Sequence, residues 1–573
     1  MIEKRWTIKE TPDEQTVLAL ADSLNISNIL ATILILRGVT NFHEAKIFFR
    51  PELDALYDPF LMDGMQEATN RVIDAITNNE KIVVYGDYDV DGTASAALMY
   101  LFLKELDADV EVHIPNRLTD GYGLSIESID LLAKQNFDLM ITVDCGITAV
   151  EEVAHATKLG IDTIICDHHK PKETIPEAVA VLDPIKPGCN YPFKFLSGAG
   201  VAFKLARAVS DRVGRKDVVL EYLDLVALAA AADIVSLTDE NRILVRKGME
   251  LINKNPRPGI LSLINKAKKE VGSLTAGQVV FTIAPRINAV GRMGDAKRAV
   301  DLFVAKEQSE ADRIAQILED ENYNRRKIDE VTFSHAISII EEETDLENDL
   351  SIIVHVDEWH AGVIGIVASR VVEKYFRPAI MLSTIDGVAK GSARSIAGYN
   401  IYEALQECED LLIQFGGHEA AAGVALEIDK IPEFRKKFNR VLKEKSKEKN
   451  IIPEIKIDTK ISLADITPKF IRILDQFAPF GPGNMRPVFL AENLQLANHP
   501  RIVGKNHMLT TLKQNGSDKV FDAIGFNLGY YAEIIAKDRD LIDIVFTIEK
   551  ITRNGVTYPQ IRLKDIKVKE NVN

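Results

Sequence analysis

Four short apolar runs, each ending in an aspartate, constrain this chain more than any other feature. Residues 82–84 lead through Tyr85-Gly86 into Asp87, residues 139–143 into Asp144-Cys145-Gly146, residues 163–166 into Asp167-His168-His169, and residues 179–182 into Asp183-Pro184. Runs of this length, rich in Val and Ile and mostly apolar at consecutive positions, suit strands covered on both faces. Helical patterns separate them, as over residues 94–106 and 149–159. The expected fold class is therefore α/β, with a doubly wound, mostly parallel sheet whose polar strand ends share one rim. Open sheets of that kind bind their ligands just beyond the carboxyl ends of the strands.

The chemistry of the rim follows from its residue types. Asp87, Asp89 and Asp91 put three carboxylates within five residues. Like charges this close repel, and a bound cation is the usual remedy. A solvated acidic turn would account for this motif alone, but not for its recurrence at three further strand ends. Aspartate oxygens with an imidazole suit Mn²⁺ or Mg²⁺, and the imidazole tilts the choice towards Mn²⁺. No cysteine pair has zinc-ligand spacing. Four or five acids with a histidine can hold two cations about 3.5–4 Å apart, and phosphoester hydrolysis is the reaction such a pair serves.

These residues resemble a known family. Asp87-Tyr88-Asp89-Val90-Asp91-Gly92, Asp144-Cys145-Gly146 and Asp167-His168-His169 are similar to motifs I to III of the DHH phosphoesterases. Ala231-Ala232-Asp233-Ile234-Val235-Ser236-Leu237 is similar to motif IV, and Phe415-Gly416-Gly417-His418 with Gly423 to the signature of the accompanying DHHA1 domain. Pro115-Asn116-Arg117, Gly121-Tyr122-Gly123, Asn288 to Arg292 and Lys390-Gly391-Ser392-Ala393-Arg394 extend the likeness over nearly the whole chain. They point to the branch of the family that degrades single-stranded DNA from its 5′ end.

The resemblance implies two divalent cations, Mn²⁺ preferred or Mg²⁺, held by Asp87, Asp89, Asp144, His168 and Asp233, with Asp144 bridging. It implies two supporting catalytic groups: His169 against the scissile phosphate, and Asp91 ordering the loop. The 5′-terminal phosphate and adjacent DNA are expected near Arg117, Arg292, Ser392 and Arg394, whose arginine forks match phosphate oxygens. Gly416 and Gly417 would admit close backbone approach, His418 would face the cleft and Tyr122 would stack on a base. Without the family, Asp233 reads as a helix-end residue, and Tyr122 and the glycine pair as ordinary turns. The implied partners are single-stranded DNA, single-strand-binding protein and a RecQ-type helicase, with the chain a monomer acting in DNA repair and recombination. The alternatives are a phosphodiesterase for short oligonucleotides or cyclic dinucleotides, a pyrophosphatase, and an inactive replication scaffold of the same fold.

Composition sets limits. At 573 residues, 46% of them hydrophobic and 27% charged, the chain has material for three to four domains. A net charge of −16 argues against tight non-specific duplex binding, but a narrow basic channel can still thread one strand. Cys145, Cys166, Cys189 and Cys408 are widely spaced, as reduced thiols are. No apolar run approaches 20 residues, and the opening Met1-Ile2-Glu3-Lys4-Arg5-Trp6 lacks a signal peptide's apolar core. No membrane association and a cytoplasmic location are expected.

The expected organisation is a helical lead-in over 1–75, the DHH catalytic domain over 76–300, a connecting helix over 301–345, a smaller α/β DHHA1 domain over 346–442 and an OB-like β-barrel over 451–573. From Glu307 to Glu343 there is no Pro or Gly. Ile314, Ile317 and Leu318 form one apolar cluster, Ile328, Val331, Ile337 and Ile340 another, and 319–327 is polar. This pattern predicts a helix of roughly 55 Å, docked at both ends and bare in the middle. Near the C-terminal end, Asn554-Gly555 between residues 544–551 and 558–563 is a hairpin signal. Residues 477–484 and 501–507 are candidate strand-binding loops of the barrel.

Overall fold

The computed structural model describes residues 3–116, 123–446, 452–517, 519–537, 541–553 and 556–569. Arg117, Tyr122 and the Asn554-Gly555 turn lie outside them.

The central sheet has five strands, ordered Val110–His113, Ile82–Gly86, Leu139–Val143, Asp162–Cys166 and Ala180–Leu182, and every pairing is parallel. Its apolar residues alternate between two cores, as strands covered on both faces require. Ile82, Val84, Ile141 and Ile164 pack with the helices Val90–Glu105, Gly198–Arg212 and Leu223–Ala232, while Val83, Tyr85, Met140 and Ile165 pack beneath Ile126–Lys134 and Val150–Lys158. The first of these helices starts at Val90, four residues ahead of its apolar pattern, because the Asp89 side chain caps it.

Gln308–Glu343 is one helix of 36 residues. Ala311, Ile314, Ala315 and Leu318 bury one end in the first core, and Ala336 and Ile340 bury the other in the second domain. The far cluster departs from expectation: Val331 is 65% exposed, and Thr332 turns inward in its place. The face that docks is fixed by the 3.6-residue period running back from Ala336, which Thr332 satisfies and Val331 does not.

The second sheet runs Gln414–His418, Ala421–Leu426, Val388–Arg394, Ala379–Ile385, Ile352–His355, antiparallel except for the last pair. The third is a barrel. Phe489–Leu496, Ile542–Arg553, Val556–Val568, Val520–Gly525 and His507–Gln514 pair in that order, and the first and last close the ring. Its one parallel contact within the ring, Val520–Gly525 with Val556–Val568, and the helix Gly529–Lys537 on the connection between Val520–Gly525 and Ile542–Arg553 have the OB pattern.

The lead-in is not purely helical and does not stand apart. Arg5–Ile8 is a strand paired with Glu454–Ile457, and Leu20, Leu30, Ile33 and Leu34 share one core with barrel residues Phe489, Leu512 and Phe546. Residues 477–484 are likewise no open binding loop. Phe477 is fully buried, edge-on to Phe48 and Phe49, and Asn484 is buried with it. No single helix among the described residues is long and apolar enough to cross a membrane; the bent pair Glu14–Leu24 and Asn28–Ile35 passes only when joined across a 112° bend, and it packs on the barrel.

Candidate active site

Ile82–Gly86 pairs with Val110–His113 on one side and Leu139–Val143 on the other. The connections leave it in opposite directions, so a crevice opens beyond the two central strand ends. Asp87 and Asp144 stand at those ends. Asp89 accepts a hydrogen bond from Gly92 N at 3.0 Å, which fixes the acidic turn to its helix. Asp144 has φ +61° and packs against Gly198, where a Cβ would lie 2.6 Å from Asp144 Oδ1. Only glycine leaves that carboxylate room.

The expected ligands gather in three overlapping groups, two of which share Asp144. Asp87, Asp89 and Asp144 offer ligand atoms within 4.8 Å of one another; so do Asp144, His168 and His169, and so do Asp91, His168 and Asp233. Asp144 Oδ1 and His168 Nε2 are 3.1 Å apart, both buried and neither hydrogen-bonded. Burial, then the neighbouring His169 charge, pulls the His168 pKa down to about 4, so the ring is neutral. A buried carboxylate oxygen facing a neutral imidazole nitrogen is a pair that a divalent cation joins, and this oxygen-rich set with one imidazole fits Mn²⁺ or Mg²⁺. Burial and mutual repulsion push Asp144 well above the usual carboxylate range, Asp233 to about 8 and Asp91 to about 7. Asp233 does end a helix, as C-cap of Leu223–Ala232, and from there it reaches within 3.7 Å of His168 Nε2.

Asp91 is differently employed. Its two oxygens accept from Gly198 N and Ala199 N, each at 2.8 Å, tying the N-terminus of Gly198–Arg212 to the acidic turn. Its approach to His168 Nε2 is 3.9 Å.

Asp167 is not among the expected site residues, yet it organises the histidines. It is buried and accepts from His168 N, His169 N and Ile147 N, and its Oδ1 lies 2.7 Å from His169 Nδ1. Burial alone would lower the His169 pKa, but the Asp167 bond and charge raise it to about 9. The imidazolium is thereby fixed beside the acids. A carboxylate two residues before a histidine is the signal that marks it in the sequence.

The residues expected at the 5′-terminal phosphate collect elsewhere. In the second sheet Ser392 faces Gly423 and Gly423 faces Gly416, while Arg394 faces Ala421 and Ala421 faces His418. Opposed residues share a face, so Ser392, Arg394, Gly416 and His418 look out on one side. A Cβ at Gly416 would meet nothing within 4 Å, which leaves a shallow trough beside Ser392. Gly417 points the other way, at φ +145° and close against Ala421 and Ala422. Arg394 Nη2 and Ser392 Oγ lie over Gly365 of the helix Ala361–Tyr375, and Arg292 Nη1 donates to Gly362 O at 3.2 Å. Arg292 also ends the helix Ala284–Met293, which reaches back to the acids. A Cβ on Gly291 would lie 2.5 Å from Tyr88 O, and Asn288 Oδ1 accepts from Val90 N at 3.2 Å.

Comparison with known proteins agrees with this division. Residues 81–230 match the DHH family N-terminal domain, 349–444 the DHHA1 domain and 457–565 the RecJ OB domain. A single-stranded-DNA-specific exonuclease RecJ of Bacillus subtilis is 38% identical over 99% of this chain and 71% of its own length. The RecJ of Dickeya dadantii is 33% identical over 91% of this chain and 92% of its own. The chain belongs to the RecJ family of single-stranded-DNA-specific exonucleases. The RecJ of Thermus thermophilus, solved in complex with Mn²⁺, superposes with a TM-score of 0.83 over 99% of this chain and 80% of that one, at 28% identity. A pyrophosphatase or a phosphodiesterase of short oligonucleotides does not account for a RecJ OB domain matched as such.

Proposed function

We propose that this RecJ-family chain removes nucleotides from the 5′ end of single-stranded DNA by metal-dependent hydrolysis. One observation carries the reading: two groups of oxygen and nitrogen ligands meet at Asp144, at the switch point of a doubly wound sheet. Asp87, Asp89 and Asp144 would hold one cation, and Asp144, His168 and Asp233 the other. Cations there supply positive charge to a phosphoryl oxygen and to the attacking and departing oxygens of an in-line displacement.

The chain's own groups do the rest. His169, charged and anchored by Asp167, donates to a non-bridging oxygen of the scissile phosphate, where negative charge builds up. Asp91 contributes by position, holding two helix N-termini together around the acids. Arg292, Ser392 and Arg394 grip the 5′-terminal phosphate beside the N-terminal half of Ala361–Tyr375. Gly416 and His418 would form the adjoining floor that admits a single backbone; Gly417, facing the other side of the sheet, lies outside it. Arg117 and Tyr122 complete the set by family likeness alone.

The deciding experiment is incubation with Mn²⁺ and single-stranded DNA labelled at its 5′ end. Immediate release of labelled mononucleotide is expected. Shortening with the label retained would reverse the polarity, and no cleavage in Mn²⁺ or Mg²⁺ would leave an inactive scaffold.

A further inference from the structure

Asp233 is followed by an irregular span between two helices. The helix Leu223–Ala232 ends at it, Ile234 turns at φ +61° with its side chain 60% exposed, and the next helix begins only at Asp239. From its own domain the span receives an Asn241 Nδ2 bond to Ser236 O at 2.9 Å and a contact between the Ser236 and Thr238 hydroxyls at 3.0 Å. Leu237 is also buried in that domain's core, with Val235 packed against it, and Arg242 N donates to Thr238 O at 3.2 Å; a further hold comes from residues 477–484, some 240 positions away in sequence. Leu237 N donates to Pro482 O at 2.7 Å. Gly481 fits against Leu237, where a Cβ would come within 2.6 Å of Leu237 Cδ1. Gly483 fits between Ser236 and Thr238, where a Cβ would lie 2.5 Å from Ser236 Oγ and 2.7 Å from Thr238 Cγ2.

The loop that makes these contacts is braced. Asn484 Nδ2 donates to Phe477 O at 2.7 Å and Pro479 O at 2.8 Å, and Arg37 donates to Asn484 Oδ1 at 2.8 Å. The buried Arg242 guanidinium donates to Phe48 O, Phe477 O and Ala478 O and stacks 3.8 Å from the Phe48 ring. Three carbonyls and a ring on one guanidinium fix the loop to the first turn of the helix Asp239–Lys254, directly behind the span. A joint needed only to tie two domains together could sit anywhere along their seam. This one closes on the five residues that follow Asp233.

We infer that residues 477–484 of the barrel unit are a positioning element for Asp233: they seat the 234–238 span and so hold the Asp233 carboxylate beside His168. The inference rests on reading Asp233 as a metal ligand, as proposed above.

The test is a calorimetric Mn²⁺ titration of the metal-stripped full chain, with thermal unfolding in chelator alongside. Gly481→Ala presses a methyl into Leu237. It is expected to weaken one of two Mn²⁺ sites by about 10–100-fold, the size seen when groups that support metal ligands are lost. Adding Leu237→Ala should restore affinity, because Leu237 Cβ would be 3.7 Å from the new methyl. Gly483→Ala, which meets Ser236 Oγ and Thr238 Cγ2 and strains a backbone at φ +73°, disturbs the same seat from its other side. Wild-type affinity for both ions in these variants would overturn the inference, and so would a lowered melting temperature with both ions still tightly held. Asp233→Asn separates the two readings. If it loses an ion while the glycine variants keep both, only the positioning role fails; if it too keeps both, the assignment of Asp233 as a ligand fails.

Discussion

The two halves of the active site solve opposite problems. At the sheet rim, carboxylates are buried beside one another, and their raised pKa values record the cost of ionising them without a partner. At the second sheet, Arg292, Ser392 and Arg394 sit around a helix N-terminus beside an open glycine trough. The first is a site the protein cannot complete from its own atoms. The second, on the proposed reading, would hold an anion between side chains that already have partners of their own. Precise, hard-to-substitute geometry therefore belongs to the rim, and tolerance to the trough.

Substitutions should divide the same way. The largest effect is expected at the residue that joins the two ligand groups. Asp144→Asn should lower the cleavage rate by at least about a thousandfold, or about 4 kcal/mol of transition-state stabilisation. Removing one of several repelling charges should nevertheless leave the metal-free fold at least as stable as wild type in chelator. Retained turnover would remove Asp144 from the bridge, and a lower melting temperature would mean that repulsion at the rim has been overstated. At the trough, Arg394→Ala should cost about 10–100-fold in preference for a 5′-phosphate, the worth of one charged hydrogen-bonded contact. Rates on 5′-hydroxyl strands should change little; an equal loss on both substrates would show that the arginine supports the fold rather than the phosphate.

The smallest effect is expected from pH. Because the Asp91 and Asp233 pKa values are raised to about 7 and about 8, the metal-free rim holds protons at neutral pH that Mn²⁺ must displace. Mn²⁺ affinity should therefore rise with pH from about 6 upward, with release of one or more protons per protein, read by titration in buffers of different ionisation enthalpy. Binding of a 5′-phosphorylated strand at saturating metal should show no matching rise. A flat Mn²⁺ profile would mean that the acids are ionised before metal arrives.

Much of the rim is legible in sequence because each ligand lies within a few residues of a strand end that its own apolar run announces. Asp233 is the exception, since a helix-ending aspartate looks the same wherever its helix points. The trough is legible only through family likeness: Ser392 and Gly416 meet by register across an intervening strand, which no local pattern records. The loop at 477–484 misleads for a related reason. Its Pro and Gly residues suggest an open turn, whereas in the fold the absent side chains are spaces that Leu237, Ser236 and Thr238 fill. The docking of Leu30 and Leu34 on a barrel more than 400 residues away lies equally beyond local periodicity, which shows that a helix is amphipathic or apolar but not what it covers.

The helix Ala284–Met293 touches the acidic turn at Gly291 and Asn288 and the phosphate corner at Arg292. If the end of a strand is caught at that corner and cut at that turn, the helix is a ruler. The spacing between the two is then set by one stiff element, so a substitution that shifts the helix moves both together.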